Sequence, residues 1–391
     1  MNKLLSLDDI PLFGKRVLIR VDFNVPIKAG KITNDARILA SLPTLTKVLE
    51  ANAKIMVMSH LGRLKSISMH KALSLLPVVR KLLKLMNCRV RLVENWIDGV
   101  SLEVGEIVIC ENVRFLPGEI KNDEGLARKM AKLCDVFVMD AFGTAHRAHA
   151  STEGVARFAP KAVAGPLLLQ EMQALNRIVS DFKKPIVAII GGSKASSKLA
   201  VIEQLVQKVD MLIVGGVIAN TFLAAKGHYV GDSLYEPDLL PVAKSLLEKA
   251  SSKGCAILLP FDVLVAETVT VDAVTTQKSL SKITGQEKIL DVGLETISSY
   301  ISALRQARTI VWNGPVGVFE YAPFAEGTKQ LADAVASSDA FSVVGGGDTL
   351  AAIEQFGVSN HISYLSTGGG AFLEYLEGKE LPGIQVLQQT V

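Results

Sequence analysis

The sequence predicts an α/β protein of two domains, each built on a mainly parallel sheet with helices on both faces. Three observations carry this. The chain has 391 residues, more than one ordinary hydrophobic core organises. Apolar, β-branched runs alternate with amphipathic stretches along most of its length, the pattern of parallel strands crossed over by helices. Most runs in the second half end in glycine or a short polar residue, and in open α/β sheets ligands bind beyond the carboxyl ends of the strands.

In the first half the runs Arg16–Val21, Lys54–Met58, Glu106–Cys110 and Val136–Met139 read as strands. Amphipathic helices fill the gaps at Ala36–Ala51, His70–Met86 and Asn122–Leu133. Gly165–Phe182 reads as a connecting helix, opened by Pro166 in its first turn and closed by Asp181-Phe182-Lys183-Lys184-Pro185. Strands resume at Ile186–Ile190, Met211–Val214, Ala256–Leu259, Thr309–Trp312, Ala340–Val344 and Ile362–Ser366. The residues that end them are Gly191-Gly192, Gly215-Gly216, Asp262, Asn313-Gly314, Gly345-Gly346-Gly347 and Gly368-Gly369-Gly370. Clusters in register on one domain point to a single crevice.

An apolar content of 49% with 21% charged residues fits a folded globular chain. No apolar run approaches the roughly 18 residues of a membrane helix, and the start turns acidic at Asp8-Asp9 before an export leader would form its core. Cys88, Cys110, Cys134 and Cys255 are far apart, so neither a zinc site nor a disulfide framework is expected, and a reducing compartment is. Residues 1–170 hold 25 Lys+Arg against 16 Asp+Glu, whereas residues 171–391 hold 17 against 23. A basic half suggests an anionic ligand; nucleic acid is not expected, because the basic residues are dispersed and not interleaved with aromatics.

The second half carries phosphate chemistry. Gly191-Gly192-Ser193-Lys194 joins a strand to a helix start, where free N–H groups and the positive dipole end suit phosphate. Lys194 and Lys198 are four apart and share a face if both are helical. Neither a Walker A sequence nor a G-x-G-x-x-G fingerprint is present. Gly345-Gly346-Gly347-Asp348-Thr349 is a second such junction, whose carboxylate and hydroxyl suit either a helix cap or Mg²⁺ beside a nucleotide. Ser366-Thr367-Gly368-Gly369-Gly370 is a third. In Trp312–Glu320 the glycines allow close backbone approach and Glu320 can accept hydrogen bonds from sugar hydroxyls.

The first half carries a different set. Asp22 and Asn24 alternate with Val21, Phe23 and Val25 and can bond a hydroxyl or carboxylate. Arg37 opens the next helix, and His60, Arg63, Arg114, His146, Arg147 and His149 fall at successive strand ends. Guanidinium forks at such positions match a small anion, although a lone arginine more often makes a surface ion pair. No G-x-S-x-G elbow or H-E-x-x-H occurs, so no nucleophile is evident; an anion pocket plus a phosphate pocket is what direct phosphoryl transfer requires.

Together, R-V-D-F-N-V-P from Arg20, S-H-L-G-R from Ser59, E-N-V-R-F from Glu111, D-A-F-G-T-A-H-R-A-H from Asp140, G-G-S-K…K from Gly191, W-N-G-P-V-G-V-F-E from Trp312, G-G-G-D-T from Gly345 and S-T-G-G-G-A from Ser366 resemble the phosphoglycerate kinase family, in order and from about residue 5 to the end. The resemblance implies two Rossmann-like three-layer αβα domains joined by a hinge helix. Their expected bounds are 1–164 plus 373–391 for acid binding, 165–182 for the linking helix and 183–372 for nucleotide binding. It implies reversible glycolytic transfer from 1,3-bisphosphoglycerate to ADP with Mg²⁺, giving 3-phosphoglycerate and ATP, in line and on hinge closure. Asp22, Phe23, Asn24, Arg37, His60, Leu61, Gly62, Arg63, Arg114 and Arg147 would hold the acid. Gly192, Lys194, Lys198, Gly216, Asn313, Glu320, Gly346, Gly347, Asp348 and Thr349 would hold ATP or ADP, with Glu320 on the ribose and Asp348 on the metal. Arg37 and Lys194 would be catalytic, aided by the amides of Gly369 and Gly370. A cytoplasmic monomer with no membrane or nucleic-acid partner is expected.

Three positions depart from the family's pattern: Leu64 follows Gly62-Arg63 in place of proline, Ser193 replaces alanine, and Val217 replaces a third glycine after Gly215-Gly216. Val217 implies an altered loop if that position needs positive φ. Two other classes stay open. A kinase for another acid would not need Asp22 and Asn24 unless that acid carried a hydroxyl, and a non-catalytic binding protein would need neither Lys194 nor Asp348.

Overall fold

A computed structural model describes residues 4–64, 66–179 and 182–389. Residues 1–3 and 390–391, inside the expected first domain, and residues 180–181, inside the expected linking helix, lie outside the described residues. The chain divides into two compact units, Met1–Gln173 with Glu380–Val391, and Ala174–Lys379.

The first unit is built on a six-stranded sheet in the order Arg89–Val93, Glu106–Cys110, Lys54–Met58, Arg16–Arg20, Val136–Met139, Ala162–Ala164. Every pairing in it is parallel. Both faces are covered. Val17, Ile19, Ile55, Val57, Ile107, Ile109 and Val138 pack with Ile38, Leu45, Val78 and Leu82 of two helices, and Leu18, Met56, Val108 and Phe137 are buried on the other side. Such two-sided burial is why these strands read as continuous apolar runs. Arg20 pairs in register with Met58 and with Met139, so three central strands finish level. The helix Pro382–Gln389 belongs to this unit, and Gly383 N–H donates to Ala145 O at 2.9 Å.

The second unit repeats the plan in the order Ala256–Leu258, Met211–Val214, Ile186–Ile190, Thr309–Asn313, Phe341–Gly345, Tyr364–Ser366, again all parallel. Strand order reverses between Ile186–Ile190 and Thr309–Asn313, the switch point where an open sheet of this type leaves a crevice.

Several elements differ from the sequence expectation. Arg89–Val93 and Ala162–Ala164 complete the first sheet; one is a half-exposed, charged edge strand and the other only three residues long, so neither shows as an apolar run. His70–Met86 is not one helix. Lys71–Leu73 forms a 3-10 turn, Ser74 is extended, and Ser74 Oγ and Leu75 N–H both donate to the Glu111 carboxylate (2.6 and 2.9 Å) before the helix Leu76–Leu85, with Pro77 in its first turn. A separate three-stranded antiparallel sheet of Asp262–Ala266, Thr276–Ser279 and Lys288–Val292 was not anticipated. Asp262, expected at a ligand-facing strand end, instead opens a strand of that sheet. It accepts from Thr296 N–H at 2.8 Å and Glu295 N–H at 3.2 Å, capping the helix Leu294–Gln306.

Asp140 is likewise structural. Its Oδ1 accepts from Leu167 and Leu168 N–H at 2.9 and 3.2 Å, capping the helix Pro166–Val179, and its Oδ2 accepts from the Thr44 hydroxyl. Burial pushes its carboxyl up to about 7, against the three hydrogen bonds. The folded pKa therefore exceeds the unfolded value of 3.8. The acid's contribution to stability is complete below the unfolded pKa and is lost as pH rises through about 7. Asp140→Asn keeps an acceptor for both amides and removes this loss. Its melting temperature relative to the parent should rise between about pH 4 and pH 8; a constant difference would show that Asp140 is ionised throughout.

Candidate active site

In the first unit the chain leaves the sheet carrying a mutually braced set of polar side chains. Asp22 follows the strand Arg16–Arg20 and accepts from Asn24 N–H at 3.0 Å. Arg37, in the first turn of the helix Ala36–Glu50, reaches Asp22 Oδ2 at 3.2 Å and donates to Asn24 O at 2.9 Å. Asn24 Oδ1 accepts from Gly62 N–H at 2.9 Å, and the Gly62 carbonyl accepts from Arg114. Asn112 clamps Leu61 from both sides, accepting from its N–H at 3.2 Å and donating to its carbonyl at 2.8 Å.

The structure thus brings Asp22, Asn24, Arg37, His60, Leu61, Gly62 and Arg114 together. Phe23 is fully buried and Leu61 is nearly so, which makes both side chains core and leaves only their backbone for a ligand. Arg63 is exposed, and Arg147 Nε donates to His146 Nε2 at 3.0 Å.

The sequence reading gave no role to Arg20, Glu119 or Ser151. Arg20 is 1% exposed; its Nε donates to Ser151 Oγ at 3.1 Å and its NH2 lies 3.2 Å from His60 Nδ1. Ser151 in turn donates to Glu119 through Oγ at 2.6 Å and through N–H at 3.0 Å. An arginine ending an otherwise apolar buried strand was the one sequence signal for this network.

Electrostatics follow from this crowding. Burial lowers the pKa of Arg114, reinforced by Arg147, Arg20 and Arg63. Burial also drops His60 well below the histidine range, with Asp22 opposing and Arg20, Arg114 and Arg37 reinforcing. His146 and His149 fall to about 4, through burial first and then neighbouring arginines. Burial acts to raise Asp22, but Arg37 and Arg20 outweigh it and hold the carboxyl low. Glu119 is raised by burial despite its bonds from Ser151. Five arginines against Asp22 and Glu119, with the histidines neutral, leave an excess of positive charge that a small anion would offset.

In the second unit backbone and not side chains dominates. The loops after Ile186–Ile190 and Thr309–Asn313 touch: a Cβ on Gly191 would lie 1.9 Å from Pro315 O, and one on Gly314, at φ +98°, 2.1 Å from Gly191 O. Lys198 seals this seam, donating to Gly191 O at 2.6 Å and Asn313 O at 3.1 Å. Burial lowers its pKa to about 8, with Asp348 pulling the other way. Lys194 and Lys198 do not share a helical face, because the helix begins only at Leu199; Lys194 stands exposed in the preceding turn.

Asn313 and Thr349 are buried and brace the loops: Asn313 Nδ2 donates to Gly345 O at 2.8 Å, and Thr349 Oγ1 accepts from Gly314 N–H at 2.6 Å. Positive φ falls on Gly216 (+63°) and not on Val217, which lies inside the helix Gly216–Ala225. The valine therefore strains nothing. Gly192 packs under Gly216, whose Cβ would lie 2.7 Å from the Gly192 carbonyl. Glu320 is exposed beyond the strand Thr309–Asn313. Gly346 and Gly347 open the helix Gly347–Gln355, with Asp348 exposed in its first turn. Gly369, at φ +52°, and Gly370 open the helix Gly370–Leu376.

Among the described residues no three His, Cys, Asp or Glu side chains cluster to hold a metal. A cage site is therefore lacking, but Mg²⁺ held by phosphate oxygens and water needs only one carboxylate, and exposed Asp348 beside glycine backbone meets that requirement.

An open α/β architecture with an arginine-rich cluster in one unit and a glycine-lined crevice at the switch point of the other is what a small-molecule kinase requires. The family model described as phosphoglycerate kinase matches residues 7–379. Phosphoglycerate kinases from Legionella pneumophila strains Paris and Corby are each 56% identical over 386 residues, spanning 99% of this chain and 98% of theirs. Among solved structures, that of phosphoglycerate kinase from Coxiella burnetii matches with TM-score 0.92 at 52% identity, and that from Pyrococcus horikoshii OT3 with 0.85 at 33%, each over 99% of both chains. The chain belongs to the phosphoglycerate kinase family. Its activity is reversible glycolytic phosphoryl transfer with a carboxyl group as acceptor, and ATP and ADP are the nucleotide substrates.

The arginines' reach over the histidines is measurable. NMR titration should give midpoints near 4 for His146 and His149. Midpoints at the ordinary value of about 6.5 would show that both rings are solvated and outside the charged cluster.

Proposed function

We propose that the first unit holds 3-phosphoglycerate or 1,3-bisphosphoglycerate and the second holds ADP or ATP. The observation that carries this division is the excess of guanidinium charge around Asp22, Asn24 and His60, which suits a phosphorylated hydroxy acid. In this reading Arg37, His60, Arg63, Arg114 and Arg147 take the acid's phosphate and carboxylate. Asp22 and Asn24 take its hydroxyl while keeping Arg37 and Gly62 in place. Phe23, Leu61 and Gly62 contribute backbone.

Gly192, Gly216, Asn313, Gly346, Gly347 and Thr349 shape the nucleotide cradle, Glu320 takes the ribose, and Lys194 and Lys198 take phosphate. Transfer is direct and in line, without a covalent enzyme intermediate. Arg37 and Lys194 neutralise the moving phosphoryl group, and the N–H groups of Gly369 and Gly370 offer it hydrogen bonds at a helix N-terminus. Asp348 would hold Mg²⁺, which would supply positive charge to offset that of the phosphate oxygens. The reading extends to a cytoplasmic monomer without nucleic-acid or membrane partners. Among the described residues no helix is long and apolar enough to cross a membrane.

A coupled assay with 3-phosphoglycerate, ATP and Mg²⁺ tests the assignment of the units. Arg37→Ala and Lys194→Ala should each lower kcat by roughly 10²-fold or more, the scale of losing one transition-state charge partner. Arg37→Ala should leave ADP affinity within about twofold by calorimetry; loss of ADP binding instead would mean that the units are assigned the wrong way round. Asp348→Ala should weaken Mg-ADP roughly tenfold while sparing metal-free ADP, in line with one charged contact. An unchanged magnesium dependence would remove the metal role.

A further inference from the structure

Two facts about Arg20 and His60 combine. Guanidinium has five N–H donors and no acceptor, so the 3.2 Å contact from Arg20 NH2 obliges His60 Nδ1 to accept. A neutral imidazole that accepts at Nδ1 carries its proton on Nε2. Arg20 can fix that choice only if it is itself fixed: its NH1 donates to the Val21 carbonyl, and its Nε is held 3.1 Å from Ser151 Oγ. The Ser151 hydroxyl has one proton, and it goes to Glu119 Oε1 at 2.6 Å, which leaves the oxygen lone pairs for Arg20. Glu119 Oε2 takes the Ser151 N–H at 3.0 Å, so the carboxylate sets both the backbone and the hydroxyl of Ser151. Ser151 is fully buried, and Glu119 and Arg20 are each 1% exposed. Water therefore does not substitute for any link.

We propose that Glu119 and Ser151 are positioning residues for His60: they hold Arg20 so that its guanidinium donates to Nδ1 and confines the ring proton to Nε2. His60 then meets the acid as a neutral donor of fixed direction. This last step rests on the reading of the first unit as the acid-binding half; the relay itself does not.

The burial and charge around His60 agree with a neutral ring. Asp22 favours protonation, while Arg20, Arg37 and Arg114 oppose it. Asp22 Oδ1 lies 3.9 Å from Nδ1, too far to compete with Arg20 for a hydrogen bond. Among the described residues no other hydrogen bond reaches the His60 ring, so the contact from Arg20 selects the tautomer.

The test uses the full chain with ¹⁵N-labelled histidine, whose ring-nitrogen shifts report the tautomer without any substrate. The parent should show His60 as the Nε2–H form alone. Ser151→Ala breaks the relay at its centre, and Glu119→Gln is a second variant that retains an acceptor for the hydroxyl but not for both donors. Each should introduce Nδ1–H signal at His60 and raise KM for 3-phosphoglycerate about three- to tenfold, the range of one hydrogen bond, with kcat within about twofold. Glu119→Gln should be the milder. A pure Nε2–H ring in both variants overturns the proposal, and so does a KM rise without a tautomer change, which is what general loosening gives. A tautomer change with KM unaltered sustains the relay and instead removes His60 from the acid site.

Discussion

Both sites depend on one constraint: the buried parallel sheet must end. Along the strand each N–H and C=O is satisfied by a neighbour, and beyond its last residue that supply stops while burial continues. In the first unit side chains take over. Asn112 serves both polar groups of Leu61, Ser59 Oγ accepts from Phe23 N–H at 2.8 Å, and Asn24 serves Gly62. In the second unit the loops solve the problem by contact. Gly191 and Gly314 let two backbones approach where no Cβ fits, and Lys198 takes the carbonyls that result. The same topological demand yields a side-chain site in one unit and a backbone site in the other.

The two solutions differ in electrostatic cost. Guanidinium groups drawn together with few carboxylates repel one another, and repulsion in a partly buried setting is screened less than at a surface. Asp22 and Glu119 relieve part of it, and the neutral state of His60, His146 and His149 avoids adding to it. What remains is a site whose charge is unbalanced until an anion arrives. In the second unit there is little fixed charge to balance. Lys198 is desolvated, while Lys194 and Asp348 stay in water, so the cradle relies on N–H groups and helix ends.

How much of this was legible follows from what a sequence encodes locally. Ile186–Ile190 and Met211–Val214 are found to the residue because a strand buried on both faces has no polar member to blur it. Arg89–Val93 escaped because an edge strand need not be apolar. The motif residues of both sites were visible as a set, but their division of labour was not. The Phe23 side chain lies in the core, and the Thr349 hydroxyl accepts from Gly314 N–H, two contacts that a motif does not show. Lys194 and Lys198 look like one helical face, but both precede the helix, which starts at Leu199. Glu119 and Ser151 had no sequence signature at all, since a turn carboxylate and a hydroxyl in the π-helical turn Ala150–Gly154, 32 positions apart, announce nothing until the fold joins them.

Burial sorts the site residues by what they are free to do. Arg20, Asn112, Asn313, Thr349 and most of Lys198 are enclosed and already bonded to protein. Arg63, Lys194, Glu320 and Asp348 are exposed. An enclosed, bonded group would lose existing hydrogen bonds to follow a ligand, so its value lies in holding direction. An exposed charge gives up only hydration when it meets a phosphate. Phosphoryl transfer asks for both kinds, a rigid frame that fixes the reactants and mobile charges that settle on the group in flight. A frame with neither nucleophile nor general base is sufficient for that chemistry, which accords with a first unit rich in arginine and a second lined by glycine and lysine.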